Sequence, residues 1–363
     1  MSEHTPVSKP YDTVSGDMEK QLMDQLADLC ESSEVSPTER SDQAWCDDTA
    51  LAFELMAATE REMADFLGRV EAGEKLDTEG LDLSISRLND SLATDPDALL
   101  SLSLLRTFDG EGFDHTINVA VYMMGLARGL GMDDQMVAMV GKGGLLHDVG
   151  KVRLPQALIN KTSPLDLSDL KQIKRHVDLT LDSLSRMEGL SDDVRRIAAE
   201  HHERLDGSGY PKGLKGEQIS QLGRMASICD CFDAMTSNRS YRRAKEGKQV
   251  LRELVLEGRE RGTLDAKLVE MFIRVVGIYP VGSLVRLADG RVGVVMRNNP
   301  KDLLHPSIKV VAKGTDNSAI SPKRLDLANH RNEEGLRIVG TESPATTRID
   351  PIPFLPGSEL YQQ

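Results

Sequence analysis

Apolar residues recur three and four positions apart along most of this chain, the spacing that predicts amphipathic helices. The strongest such pattern covers residues 49–70, and a glycine-rich loop at 206–216 interrupts the series. Helices are predicted at 17–31, 49–70, 81–92, 97–105, 116–130, 133–146, 166–186, 192–203, 221–236, 250–257 and 265–276. The chain is therefore predicted to be mainly α.

The pattern changes after Tyr279-Pro280. From Gly282 to Arg297, two runs of apolar and β-branched residues flank Asp289-Gly290. An Asp-Gly pair between two such runs predicts a β-hairpin. Residues 308–311 predict a third strand. We therefore expect a small β appendage near the C-terminus.

Charge is distributed unevenly along the chain, whose formal net charge is −14. Residues 1–100 hold 24 acidic and 7 basic residues, a net of −17, while the remainder holds 34 and 37, a net of +3. The bulk charge argues against nucleic-acid binding. No window approaches the roughly 18 consecutive apolar residues of a membrane helix, and the first twenty residues lack the apolar core of a secretory signal. These patterns predict a cytoplasmic protein that is not inserted in a membrane.

Several polar residues occupy apolar helix faces. His201 follows Val194 and Ile197 at helical spacing, and Asp230 lies among apolar neighbours in the segment 221–236. A single histidine at such a position is usually a hydrogen-bonded core residue. Four or five such faces, together with a carboxylate that should not be buried unpaired, favour one bound metal cluster instead.

A mixed set of imidazole and carboxylate donors suits iron, manganese, zinc or cobalt rather than calcium. Two or three ions about 3.5–4 Å apart can clamp a phosphate for in-line hydrolysis. Lys151 follows Asp148 by three positions, where its ammonium could reach such a phosphate. Arg239 and Arg242 form a basic turn that suits a phosphodiester, and Tyr210 is placed to stack on a nucleobase or to plug its loop onto the core.

The polar motifs resemble those of the HD-GYP family. They are His147-Asp148, Val149-Gly150-Lys151, His201-His202-Glu203-Arg204, Asp206-Gly207-Ser208-Gly209-Tyr210-Pro211, and then Asp230, Phe232, Asp233, Ala234, Arg239, Tyr241 and Arg242. The resemblance covers roughly residues 108–280, close to half of the chain. A lone His-Asp pair would be weak evidence, but this ordered set is specific. The resemblance implies the helical bundle of the HD superfamily.

The resemblance also implies a metal centre with defined ligands. The positions that match family ligands are His115, His147, Asp148, His176, His201, His202 and Asp230. Asp148 would bridge two ions. Glu111 stands four residues before His115, where some members use a glutamate to hold a third ion. Two or three divalent ions are therefore expected, with iron favoured and manganese as the alternative.

The activity that the resemblance implies is hydrolysis of cyclic di-GMP to pGpG, to GMP, or to both, by a metal-bridged hydroxide. Asp148 and Lys151 are the expected catalytic residues. Lys151, Tyr210, Arg239 and Arg242 match positions that contact the substrate. The loop that contains Tyr210 is a candidate surface for a diguanylate cyclase partner. The sequence does not decide whether the chain forms a homodimer.

These patterns divide the chain into five expected segments. They are a disordered N-terminus at 1–16, an acidic helical regulatory domain at 17–105, an HD-GYP catalytic domain at 106–280, a β-rich extension at 281–340 and a tail at 341–363.

Two other interpretations stay open. In the first, the chain is a weakly active or inactive signalling adaptor that binds a cyclic dinucleotide or a diguanylate cyclase. In the second, it is a phosphodiesterase for cyclic GMP-AMP or another nucleotide, because nothing in the sequence separates guanine from adenine recognition.

Overall fold

A computed structural model describes residues 42–105, 113–237, 244–299 and 301–355. The helices are α1 Asp42–Ala72, α2 Glu79–Thr94, α3 Pro96–Leu105, α4 Phe113–Gly129, α5 Asp134–Leu146, α6 Gln156–Ile159, α7 Leu167–Lys174, α8 His176–Ser185, α9 Asp192–Glu200, α10 Gln221–Thr236, α11 Gly247–Arg259, α12 Ala266–Val276 and α13 Pro344–Thr347. The strands are β1 Leu284–Leu287, β2 Val292–Arg297, β3 Ser307–Lys313, β4 Ser318–Asp326 and β5 Ile338–Glu342. The predicted mainly α class with a small β appendage is confirmed. The predicted disordered segment 1–16 and the predicted helix 17–31 lie outside the described residues.

Short polar side chains determine where several helices begin. Asp133 accepts a hydrogen bond from a backbone N–H in the first turn of α5, and Ser191 and Ser220 do the same for α9 and α10. These contacts satisfy donors that a helix start otherwise leaves unpaired. His147 and His201 stand immediately after the last residues of α5 and α9, so the capped starts help to fix where both imidazoles are presented.

Close helix contacts require glycine at two positions near these histidines. A Cβ on Gly144 would lie 2.5 Å from the Cα of Ala120, so α5 packs directly against the backbone of α4. A Cβ on Gly150 would lie 2.4 Å from the carbonyl oxygen of His176. The short 3-10 turn Val149–Arg153 therefore lies against the start of α8. Both contacts bring the end of α5 next to other helices that carry histidine.

Helices on both sides of residue 105 share one hydrophobic core. Met56 of α1 and Leu88 of α2 belong to the same buried cluster as Tyr122 of α4 and Phe232 of α10. Helix α3 packs on α4, and α2 packs on α5. The division into a regulatory and a catalytic domain at residue 105 therefore stays a prediction. Within the described ranges, no helix combines the length and the apolar character needed to cross a membrane.

The five strands form one antiparallel sheet in the order β4-β3-β2-β1-β5. One face, with Val285 and Val295, joins the main core, and the other packs beneath Trp45 and Leu355 in a second cluster. The predicted hairpin is β1–β2, and its turn contains Gly290 at φ 86°. The predicted tail boundary at residue 341 falls inside β5.

Asp95, just before α3, and Asp97, within it, connect this region to the sheet. Arg297 of β2 donates to the Asp95 carboxylate at 2.6 Å. The backbone N–H of Asn298 donates to Asp97 at 3.3 Å, and the Asn298 side chain donates to the carbonyl of Val276 at 3.0 Å. The appendage is thus held to both α3 and the end of α12. Burial, and then the neighbouring Asp95 carboxylate, raise the pKa of Asp97 from 3.8 to about 6.

We expect Asp97→Asn to flatten the pH dependence of stability below neutrality. The folded-state pKa of Asp97 exceeds its unfolded value, so the folded chain binds this proton more tightly, and the unfolding free energy falls as pH rises from 3.8 to about 6. The shift corresponds to at most ~3 kcal/mol. Denaturant unfolding at several pH values measures it. Asp192→Asn, at a side chain that is 92% exposed, is the matched control and should follow the wild-type profile.

Candidate metal centre

Five helices bring histidine and aspartate side chains to one place. His115 lies in the first turn of α4, His147 and Asp148 follow α5, and His176 begins α8. His201 and His202 follow α9, and Asp230 lies within α10. The structure therefore brings together seven of the sequence-predicted site residues from positions up to 115 residues apart in the chain.

Asp148 lies at the centre of the group and is 4% exposed. Its Oδ1 atom lies 3.2 Å from Nε2 of His176 and 3.7 Å from Nε2 of His201. Its Oδ2 atom lies 3.2 Å from Nε2 of His147 and 3.5 Å from Nε2 of His115. Each carboxylate oxygen thus faces a different pair of imidazoles, which is the arrangement expected of a bridging ligand.

The donor atoms form two overlapping groups in which every member lies within 4.8 Å of the others. We call His115, His147 and Asp148 the first donor set, and Asp148, His176, His201 and His202 the second donor set. Asp230 faces both sets, with one oxygen 3.2 Å from Nε2 of His115 and the other 3.5 Å from Nδ1 of His202. The geometry is compatible with two adjacent ions that share Asp148.

Hydrogen bonds set the orientation of three imidazoles. The Nδ1 atoms of His147, His176 and His201 donate to the carbonyl oxygens of Gly144, Ile173 and Ala198 at 2.7–2.9 Å. Each acceptor lies three residues earlier in the chain. Such a contact fixes the tautomer and leaves Nε2 as the electron-pair donor.

The buried polar atoms at the centre fit a metal ion. Nε2 of His115, Nε2 of His147 and Oδ1 of Asp148 are buried and form no hydrogen bond. A buried polar atom without a partner is unfavourable by about 1–3 kcal/mol. Coordination of a divalent cation would satisfy all three atoms, and imidazole with carboxylate is a donor set that such cations accept.

The pKa values of His201, His202, Asp148 and Asp230 favour the protonation states that bind metal. At His115, burial is outweighed by contacts with Asp148, Asp230 and Asp233, which raise the pKa well above its usual range. Burial lowers the pKa of His201 well below its usual range and lowers the pKa of His202 to about 3. Burial alone would raise the pKa of Asp148, but Lys151 and the surrounding imidazoles hold it well below its usual range. The pKa of Asp230 is also held low against burial, first by its contact with Nε2 of His115. His201 and His202 are thus neutral and both carboxylates are charged near neutral pH.

Lys151 and Tyr210 contact members of this centre. The Lys151 ammonium donates to Oδ2 of Asp148 and is partly exposed. The Tyr210 ring lies 4.6 Å from the His202 ring at an interplanar angle of 31°. The Lys174 ammonium lies 4.6 Å from the centre of the Tyr210 ring. The sequence did not predict this contact of Lys174, because a lysine in the last turn of an amphipathic helix is ordinarily a solvated residue.

The loop that contains Tyr210 is held by Glu203. This carboxylate is 1% exposed and accepts the backbone N–H of Lys212 at 2.7 Å and that of Leu214 at 2.9 Å. Glu203 directly follows His201-His202 in the chain. The same segment therefore carries two donors of the centre and the anchor of the adjacent loop, a role that the sequence motif alone did not reveal.

We expect Glu203→Ala to destabilise the fold by about 2–4 kcal/mol, because two backbone donors of the loop lose their acceptor. Denaturant unfolding measures this loss, and limited proteolysis should show faster cleavage near residues 206–216. Glu217→Ala changes an exposed glutamate nearby and serves as the control. Equal stability and equal cleavage rates for both variants would contradict the anchoring role of Glu203.

Three of the sequence-predicted site residues cannot be placed. Glu111, Arg239 and Arg242 lie outside the described residues. The third-ion ligand and the two phosphate-binding arginines therefore stay predictions.

Comparison with known proteins finds relatives of one kind. A family model described as HD domain matches residues 90–268. A cyclic di-GMP phosphodiesterase of Pseudomonas aeruginosa is 36% identical over 270 residues, which cover 74% of this chain and 64% of that protein. A cyclic di-GMP phosphodiesterase of Thermotoga maritima is 32% identical over 167 residues, 46% of this chain and 45% of that protein.

A third relative differs in its named substrate. A 3′3′-cGAMP-specific phosphodiesterase of Vibrio cholerae is 36% identical over 161 residues, which cover 44% of this chain and 30% of that protein. The chain thus spans less than two thirds of the length of each of these three relatives.

Proposed function

We propose that this chain, whose residues 90–268 match the HD domain family as the motifs predicted, is a metal-dependent phosphodiesterase that hydrolyses cyclic di-GMP. One observation carries the proposal. Six imidazole and carboxylate donors from five helical segments surround the central Asp148, and three of the buried atoms have no hydrogen-bond partner. Two relatives named cyclic di-GMP phosphodiesterase support the choice of substrate.

The two donor sets would hold two divalent ions, with Asp148 shared between them and Asp230 in reach of both. When bound, the ions supply a water of lowered pKa and neutralise charge on the phosphate. Iron is the metal we favour, with manganese as the alternative, because both accept nitrogen and oxygen donors. Glu111 would be the ligand of a third ion.

The remaining residues bind and orient the dinucleotide. The Lys151 ammonium, already beside Asp148, would lie against the phosphate whose bond is broken. Tyr210 forms an aromatic wall beside His202, where a guanine could pack. Arg239 and Arg242 would hold the second phosphate. The products are pGpG, GMP, or both, and the reaction is proposed to occur in the cytoplasm.

The test is to purify the full chain without oxygen, measure its metals, and follow cyclic di-GMP by chromatography with Fe²⁺ or Mn²⁺ added. We expect bound divalent metal and accumulation of pGpG or GMP. Bound metal without hydrolysis of any cyclic dinucleotide would contradict the enzymatic proposal and favour the adaptor interpretation. In that case, binding of a diguanylate cyclase to the loop that contains Tyr210 is the next property to test. Analytical ultracentrifugation would show whether the chain forms a homodimer.

Cyclic GMP-AMP is the second candidate substrate. The relative named as 3′3′-cGAMP-specific matches this chain at 36% identity, the same value as the Pseudomonas aeruginosa relative. Parallel assays with both dinucleotides distinguish the two candidates. A kcat/KM for cyclic GMP-AMP above that for cyclic di-GMP would replace the proposed substrate while leaving the metal chemistry intact.

A further inference from the structure

His115 is the one imidazole among those of the first donor set that its own helix does not orient. His147 donates from Nδ1 to the carbonyl of Gly144, three residues earlier. His115 is the third residue of α4, too close to the helix start for the same contact within that helix. Its Nδ1 atom instead contacts Oδ2 of Asp233 at 2.6 Å.

Asp233 is wholly buried and belongs to a different helix, α10. Its other oxygen, Oδ1, accepts the side-chain amide of Asn118 at 2.9 Å. Asn118 lies one turn after His115 in α4, so both α4 contacts hold the same carboxylate. The Ser237 hydroxyl, just beyond α10, donates to Oδ2 at 3.2 Å. Asp233 therefore has a fixed position and a fixed set of donors.

Aromatic packing keeps α4 and α10 at the separation that this contact needs. The rings of Tyr122 and Phe232 meet edge to face with centroids 5.2 Å apart, and Phe272 of α12 contacts both. Phe232 directly precedes Asp233. A rigid buried cluster thus sets the distance between the carboxylate on one helix and the imidazole on the other.

We infer that Asp233 is the positioning residue of the first donor set. By accepting a hydrogen bond from the Nδ1–H group, its carboxylate selects the tautomer in which Nε2 of His115 is free, and it holds that nitrogen toward Asp148 and Asp230. In the second donor set, His176 and His201 are oriented by backbone carbonyls and not by Asp233. The inference rests on the proposed metal-dependent function.

Replacement of Asp233 is expected to weaken metal binding at the first donor set and not at the second. Loss of a carboxylate that supports a metal-binding histidine typically weakens metal affinity by about 10- to 100-fold. Asp233→Ala should therefore lower the affinity for one of the two ions by about this factor and leave the affinity for the other ion unchanged. Asp233→Asn keeps the size and one acceptor oxygen but loses the charge, so its effect should lie between those of the wild type and Asp233→Ala.

The experiment titrates the metal-stripped full chain with Mn²⁺ and counts bound ions per chain by electron paramagnetic resonance of the free ion. Thr236→Val is the matched control. Thr236 is a buried polar residue on the same helix, and among the described residues its hydroxyl donates to the backbone carbonyls of Phe232 and Asp233, both in α10. This control should bind Mn²⁺ as the wild type does.

The outcomes separate this inference from the proposed function. A wild-type chain that binds no Mn²⁺ would overturn the proposed metal-dependent function itself. If the wild type binds two ions and the Asp233 variants bind both with unchanged affinity, only the positioning role of Asp233 is overturned. If the variants bind both ions equally weakly and the metal-free chain is also less stable, Asp233 has a structural role, and its positioning role is again overturned. If Asp233→Ala does not fold, the isosteric Asp233→Asn decides the test.

Discussion

Replacing Asp148 with alanine is expected to remove bound metal and to lower turnover by at least ~1,000-fold. Asp148 is the only residue common to both donor sets among the residues that the structure describes. Its loss removes a ligand from two ions at once, whereas removal of one electrostatic group typically lowers kcat by ~100- to 1,000-fold. Elemental analysis of the purified variant and chromatography of cyclic di-GMP test the two expectations separately.

The Asp148→Ala chain should remain folded. The ion pair that it loses involves Lys151, whose side chain is 35% exposed and can be solvated instead. Asp178→Ala is the matched control, because Asp178 lies on α8 with His176 but is exposed to solvent. Wild-type turnover by a folded Asp148→Ala chain would exclude the metal mechanism.

The helices could be predicted because their apolar spacing is regular, and the clustering of histidine and aspartate because these residues interrupt that spacing. His201 and Asp230 occupy positions where a core side chain is expected, and the structure brings both into the cluster around Asp148. The hairpin β1–β2 was predicted from Asp289-Gly290, and the third predicted strand lies within β3.

The remaining features depend on contacts that no local pattern encodes. Strand β4 is exposed along most of its length and contains Pro322, so it lacks the alternation by which a strand is recognised. Asp233 and Glu203 were visible only as members of a motif. Their roles follow from partners in other segments, His115 in α4 and the backbone of residues 212 and 214. Such partners are defined only once the chain is folded.

The role of the acidic excess in residues 1–100 could not be interpreted without the fold. The acidic excess lies in residues 1–100, and the structure packs the described part of that segment into the same core as the donor helices. Two of those acidic residues, Asp95 and Asp97, contact the β appendage rather than the metal centre. The acidic segment thus contributes to the connection between bundle and sheet.

Lys151 should separate catalysis from metal binding. We expect Lys151→Met to lower kcat by ~100- to 1,000-fold, because a positive charge aimed at the phosphate is worth about this factor in the transition state. Bound metal should stay at the wild-type level, since Lys151 belongs to neither donor set. Elemental analysis with steady-state kinetics measures both quantities on the same sample. Lys171→Met, at an exposed lysine of α7, is the control and should leave both unchanged.

Lys151→Met and Asp148→Ala are expected to differ in bound metal, although both should lower turnover. The two side chains are in direct contact, so a disturbance of local packing would affect both variants alike. A chain that keeps its metal but loses turnover assigns Lys151 to the phosphate, whereas one that loses both assigns it to the support of Asp148. Unchanged kcat with unchanged metal would remove Lys151 from the catalytic machinery, and the two arginines at 239 and 242 would then be the remaining cations predicted to stabilise the transition state.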